Sequence, residues 1–142
     1  MVHDLTSDPL LVVGCQRSGT TLLRTILNAH SRLTVGYECD FFQVLADTYG
    51  ESRDIWQHME RFLDDLMAVN RFDFWNLPRE EIRTVFEAAP KPILYPQAIR
   101  LICEAYRRKH KPEATLYGVK NPNSIEHLDA YFALFPQGQV IH

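Results

Sequence analysis

The hydrophobic positions of this 142-residue chain change their period several times, and each change marks an element. Leu10-Leu11-Val12-Val13 is an unbroken apolar run leading into Gly14, the mark of a short strand covered on both faces. From Thr20 the spacing becomes helical, with Leu22, Leu23, Ile26 and Leu27 forming i, i+4 pairs up to His30-Ser31. Leu33 to Gly36 predicts a second short strand. Glu38-Cys39-Asp40-Phe41-Phe42 opens a helix with acids at its start, running through Val44 and Leu45 to a stop at Tyr49-Gly50. Ile55, Met59, Phe62, Leu63 and Leu66 share one face of the next helical segment. Arg71 to Leu77 is aromatic and irregular. Pro78-Arg79-Glu80-Glu81 starts another helix, buried through Ile82, Val85 and Phe86 and broken by Pro90 and Pro92. A long helix over Tyr95 to Arg108 follows, with Ile99, Ile102 and Tyr106 inward. Its basic end, Arg107-Arg108-Lys109-His110-Lys111, reads as a solvated cap favourable to the helix dipole.

Thr115 to Val119 predicts a strand ending at Lys120. Asn121-Pro122-Asn123 is a turn, and Ser124 suits the N-cap of a helix marked by Ile125, Leu128, Phe132 and Phe135. Pro136-Gln137-Gly138 ends it, and Gln139 to His142 begins a further strand. Strands that alternate with helices predict an α/β class: a P-loop-like parallel sheet flanked by helices. Residues 41–111 read as a helical insertion packed beside the sheet's ligand end, and residues 1–142 as one domain. Met1 to Asp8 reads as a disordered lead-in. A chain that stops on the first residues of a strand predicts an incomplete domain.

Composition narrows this picture without changing it. The chain is 46% hydrophobic and 23% charged, ordinary for a folded globular protein. A net charge of −3 argues against broad nucleic-acid binding but leaves room for a local basic pocket. Cys15, Cys39 and Cys103 have neither the spacing of a zinc site nor the even count of a disulfide framework, which fits a reducing, cytoplasmic setting. Cys15 and Cys39 suit the role of small buried hydrophobes. No apolar run reaches the length of a membrane span.

The chemistry concentrates between Gly14 and Thr21. A strand, a short polar loop and a helix start present unpaired backbone N–H groups and the positive end of a helix dipole, which together suit an anion. Arg17 adds a fixed positive charge, and Ser18, Thr20 and Thr21 add hydroxyls. Gly14 and Gly19 have the spacing of the nucleotide-binding loop GxxxxGK[ST], yet Thr20 stands where that loop needs Lys. No apolar run ends in a clear magnesium-binding Asp. Metal-free transfer of an anionic group fits better than nucleoside-triphosphate chemistry. A P-loop small-molecule kinase stays open as the alternative, and so does a non-catalytic phosphate- or sulfate-binding module.

Gly14-Cys15-Gln16-Arg17-Ser18-Gly19-Thr20-Thr21-Leu22-Leu23 resembles the 5′-phosphosulfate loop of the sulfotransferases that use 3′-phosphoadenosine 5′-phosphosulfate (PAPS). The likeness is to the bacterial and tyrosylprotein-type branch, whose loop carries Arg-Ser-Gly-Thr-Thr. His30 followed by Glu38-Cys39-Asp40-Phe41-Phe42 is similar to that family's His-Pro and Glu-x-x-Phe-Phe segments. Arg71-Phe72 with Trp75 resembles a stretch of its middle insertion. Tyr117-Gly118-Val119-Lys120-Asn121-Pro122 resembles its Gly-Asp-Lys-x-Pro turn, with Asn121 in place of a small polar residue. Phe135-Pro136 with Val140-Ile141-His142 resembles the approach to its second phosphate motif.

The resemblance implies sulfuryl transfer from PAPS, as co-substrate and without a metal, to a hydroxyl or amine of a small-molecule or peptide acceptor. It implies that Arg17, Ser18, Gly19, Thr20 and Thr21 hold the 5′-phosphosulfate, that Glu38 is the general base and that Lys120 stabilises charge on the bridging oxygen. It further implies that the residues gripping the donor's 3′-phosphate lie beyond His142. Each position also has a plainer use. Arg17 suits a surface ion pair, Glu38 a helix N-terminus, Lys120 an exposed turn and His30 a structural contact. Phe72, Phe74 and Trp75 suit either the packing of the insertion or the wall of an acceptor pocket.

Overall fold

The structure, a computed structural model, describes residues 7–142. Its strands are Leu10–Val12 (β1), Leu33–Gly36 (β2), Leu116–Lys120 (β3) and Val140–Ile141 (β4). Its α-helices are Thr20–Ala29 (α1), Phe41–Val44 (α2), Ala46–Tyr49 (α3), Met59–Met67 (α4), Arg79–Ala88 (α5), Tyr95–His110 (α6) and Leu128–Leu134 (α7). Short 3-10 turns cover Ile55–His58, Phe72–Trp75 and Pro122–His127. The strands form one four-stranded sheet in the order β2-β3-β1-β4, and every pairing is parallel. The α/β class with a parallel sheet and flanking helices is therefore observed. Among the described residues no helix is long and apolar enough to cross a membrane.

Alternation along each strand divides the sheet into two faces. Val12, Leu33 and Val35 face α1, meeting Leu23 and Leu27. Leu11, Val13, Tyr117 and Val119 face the other way, into one core shared with α2, α4, α5, α6 and α7. The segment 41–111 thus does more than sit beside the ligand end: it covers a whole face, with α6 packed on β2 and β3. The α1 face is narrower than its periodicity implies. Leu23 and Leu27 reach the sheet, whereas Leu22 and Ile26 are 65% and 59% exposed. A single short helix presents only a stripe to a flat sheet, and those two leucine and isoleucine positions fall beside it.

Other expectations shift for local reasons. The helix expected from Glu38 begins at Phe41 and breaks at Leu45, leaving Glu38 in the loop after β2. Ser124 lies inside the 3-10 turn instead of capping a helix, and its buried hydroxyl accepts from Gln43 Nε2 at 3.3 Å. That turn changes the phase of the helix behind it. Tyr131 and Phe135 are buried, while Ile125 and Phe132 stay exposed. Met1 to Thr6 of the expected lead-in lie outside the described residues. Asp8 is fixed, its carboxylate accepting from Arg100 Nε at 3.0 Å and the Gln137 N–H at 2.9 Å.

The basic end of α6 is structural more than solvated. Lys111 Nζ donates to the carbonyls of Asn28, His30 and Leu33 at 2.8, 2.6 and 3.0 Å, closing the end of α1 onto the start of β2. Lys109 pairs with Glu81 at 2.9 Å. Arg107 and Glu104 are both buried and form a bidentate pair at 2.7 and 2.8 Å, and Arg107 also donates to the Ala114 carbonyl at 2.9 Å. At the same end of α1, Asn28 finishes the edge of the sheet. Its amide accepts from the Val35 N–H at 2.9 Å and donates to the Val35 carbonyl at 3.0 Å, so the outer side of β2 is partnered.

The Glu104–Arg107 pair gives a stability test. Removing one partner leaves the other charged and buried, so Glu104→Ala is expected to cost roughly 3–5 kcal/mol. It is read as a lower urea midpoint with an unchanged slope. Burial pushes the Glu104 carboxyl up, but hydrogen bonds from Arg107 and Arg108 outweigh it and hold it below the ordinary value. A depressed carboxyl contributes fully above the unfolded value of about 4.3 and loses that contribution as pH falls through its lower folded value. Wild-type stability should therefore fall more steeply below about pH 4 than that of Glu104→Ala.

Candidate active site

The chain leaves β1 through α1 to reach β2 on one side, and leaves β3 through α7 to reach β4 on the other. Strands β1 and β3 are neighbours, so their connections part in opposite directions and open a crevice at their carboxyl ends. The register sets what meets there. Val12 pairs opposite Lys120 and Gly36 opposite Val119, which brings the Gly14 loop, Lys120 and the Glu38 loop to one edge.

The Gly14 loop turns tightly into α1. Gly19 sits at φ 90°, a left-handed conformation that a side chain disfavours. A Cβ on Gly14 would press within 3.1 Å of Ser18 Oγ and 3.2 Å of the Thr20 methyl. The loop closes on itself: the Ser18 N–H donates to the Cys15 carbonyl at 3.2 Å, and the Ser18 hydroxyl donates to the same oxygen. No side chain caps α1, so the first N–H groups of that helix point out without a protein partner among the described residues. They open into a cavity of about 500 Å³ whose walls include Arg17, Thr20, Thr21, Glu38, Arg71 and Lys120.

Glu38 is held from two sides. Lys120 Nζ donates to Oε2 at 2.6 Å, and Arg71 Nη1 pairs with Oε1 at 2.7 Å. Lys120 is only 5% exposed, and Glu38 is its counter-ion. Arg71 reaches the carboxylate from the start of the Phe72–Trp75 turn, with its backbone left-handed at φ 68°. Arg17 has the same unusual conformation at φ 61°. Two arginines strained in this way at one cavity are the kind of backbone outlier found where ligands are gripped. Phe72 and Trp75 are buried, and Trp75 rests on the backbone of Gly36, where any Cβ would meet the indole at 2.5 Å. The Trp75 Nε1–H donates to the Tyr37 carbonyl at 2.9 Å, one residue before Glu38. The core therefore sets the positions of both Arg71 and Glu38.

Of the residues marked by the sequence, Arg17, Gly19, Thr20, Thr21, Glu38 and Lys120 line this cavity, whereas Ser18 turns its hydroxyl into the loop. Arg71, Gln16 and Pro122 line it too and were not marked. The signal for Arg71 was available in the Arg-Phe-x-x-Trp pattern, but its direction toward Glu38 depends on a fold contact. Cys39 is buried as expected, and Cys15 is exposed, which corrects its reading as a buried hydrophobe. His30 accepts from the Arg32 N–H through Nδ1 at 3.1 Å, at the turn into β2 and away from the cavity. Phe74 is exposed against Tyr37, with ring centroids 6.4 Å apart.

The sequence profile described as the sulfotransferase family matches residues 9–142 of this chain. The chain belongs to the sulfotransferase family. In three dimensions it is similar to the sulfotransferase STF9 of Mycobacterium avium, with a TM-score of 0.41 and 16% sequence identity. That match covers 95% of this chain and 42% of the other, so this chain spans less than half the length of that solved sulfotransferase. No curated protein sequence matches it.

The loop of this sulfotransferase-family chain carries a ready chemical probe. Burial pushes the Cys39 thiol up to about 12 and raises Cys103 as well, while Cys15 lies exposed in the loop. A thiolate is the reactive form, so a disulfide reagent at pH 8 should label the native protein at Cys15 alone. Cys39 and Cys103 should react only on unfolding. Titration of released chromophore with peptide mapping checks this, and rapid native labelling of Cys39 would contradict the burial.

Proposed function

We propose that this chain carries the donor-binding and catalytic residues of a PAPS-dependent sulfotransferase. The observation that carries the reading is the Lys120–Glu38 contact of 2.6 Å at the wall of a cavity whose floor is the open N-terminus of α1. A phosphosulfate suits that floor, with unpaired N–H groups, the Thr20 and Thr21 hydroxyls and Arg17 converging on it. Ser18 serves by closing the loop.

The transfer balances with residues already in place. The acceptor's oxygen or nitrogen bonds to sulfur as the bond from sulfur to the bridging phosphate oxygen breaks. Glu38 takes the acceptor's proton, and adenosine 3′,5′-bisphosphate leaves with the electron pair. Lys120 stabilises the charge that develops on the bridging oxygen. Each Glu38 oxygen has more than one lone-pair site, so both cations in place still leave room for a substrate O–H. The transferred group is already activated, so positioning and charge stabilisation do most of the work. The acceptor is a small molecule or a peptide, and three free thiols agree with a cytoplasmic setting.

Calorimetry with adenosine 3′,5′-bisphosphate and with ATP–magnesium tests the donor. The expected result is binding of the bisphosphate that Arg17→Ala abolishes; binding of ATP–magnesium alone would overturn the reading. Radiolabel transfer from PAPS tests the chemistry. Glu38→Gln should keep donor binding and lower turnover by about 10²–10⁴-fold, the range of a general base. Lys120→Met should lower it by about 10²–10³-fold. Undiminished turnover in Glu38→Gln would remove Glu38 as the base.

A further inference from the structure

A second, smaller cavity of about 170 Å³ adjoins the first and shares Gln16, Glu38 and Arg71 with it. Its remaining polar walls are Asp40, Asn70, Asn121 and Asn123. At about 30 Å³ per water it has room for five or so waters, or for one small ring. We infer that this cavity is the acceptor subsite and that it takes an uncharged, hydroxyl-rich group, a sugar ring or similar polyol, bound directly by the Asn121 amide. The inference rests on the reading of Glu38 as the base, because Glu38 is the proposed catalytic group among the residues that the two cavities share.

Asn121 carries the argument. It is 4% exposed. Its main chain is satisfied: the N–H donates to the Val12 carbonyl at 2.9 Å, and its carbonyl accepts from the Ser124 N–H at 3.1 Å. Its side-chain amide makes no hydrogen bond among the described residues, and it is not among atoms sealed from solvent without a partner. The amide therefore opens into the cavity it lines. Buried amides are nearly always partnered, so this one meets water or a ligand. The register places it one residue after Lys120, at the crevice.

The surrounding groups select the chemistry. An amide offers both donors and acceptors, as a hydroxyl does, and Asn123 and Gln16 add further amides already aligned by a mutual hydrogen bond of 3.0 Å. The positive charge of Arg71 is engaged by Glu38, and Asp40 adds a negative one, so an anionic acceptor meets repulsion. An apolar aromatic acceptor would leave the amides unpaired, which costs affinity.

Protein NMR on the isotope-labelled chain tests this without requiring turnover. Methyl β-glucoside and 2-naphthol are titrated separately, and the side-chain amide signals of Asn121 and Asn123 are followed, with adenosine 3′,5′-bisphosphate as a separate donor-site probe. The glucoside should shift both amides saturably, and Asn121→Ala should weaken it about five- to tenfold while leaving bisphosphate affinity unchanged. Asn121→Ser, which keeps a small polar group, should fold as wild type and fall between. Naphthol shifting these amides while the glucoside does not would overturn the inference, as would glucoside affinity indifferent to Asn121. Failure of the bisphosphate alone would count against the donor reading, and the glucoside titration would still judge the subsite.

Discussion

Parallel pairing of β1 with β3 is the constraint on which the site depends. Parallel strands deliver their carboxyl ends to the same edge, and here Val12 opposite Lys120 fixes the offset between them. The Gly14 loop and Lys120 leave that edge side by side. Because β3 also pairs with β2, with Gly36 opposite Val119, the Glu38 loop arrives there as well. A slip of one residue would turn Lys120 toward the opposite face of the sheet and exchange the core positions Val119 and Tyr117 for Gly118 and Leu116. Burial of those side chains therefore holds the chemistry in register.

The middle of the chain supplies the second half of the arrangement. Phe41, Phe72, Trp75 and Tyr106 form one aromatic group, with Trp75 centroids 5.0, 5.7 and 4.7 Å from the other three. The side chain of Trp75 lies against Gly36, and its carbonyl meets His110 Nε2 at 2.9 Å. A turn anchored this firmly can hold Arg71 at φ 68°, a conformation that costs on the order of 1–2 kcal/mol. Packing of the core thus sustains a strained residue at the surface of the cavity.

Much of this was legible because it follows from local pattern. The apolar run at Leu10, the Gly14–Gly19 spacing and the helical face of Ile55, Met59, Phe62, Leu63 and Leu66 each specify their element within a few residues. What stayed hidden depends on phase or distance. The 3-10 turn at Pro122–His127 rotates the helix behind it, so Tyr131 replaces Phe132 in the core. Lys111 reads as one more surface cation until the end of α1 is seen to lie over it. Arg71 is separated from Glu38 by the 3-10 turn and helices between them, and only the aromatic group brings the two together.

The charges at the crevice give a chain of net charge −3 a locally positive site. The larger cavity is lined by three cations, Arg17, Arg71 and Lys120, against one anion, Glu38, a local excess of +2. Salt screens the distant surface charges while those in a crevice are screened much less, so the local sign governs a bound group more than the overall sign does. Within that cluster Glu38 has two tasks. It compensates Lys120, which would otherwise stand buried and alone, and, in the role we propose for it, it takes the acceptor's proton. A bound phosphosulfate would take over the first task by giving Lys120 a second anionic partner. The carboxylate would then be freer for the second, so under that proposal donor and base would be coupled through one buried lysine.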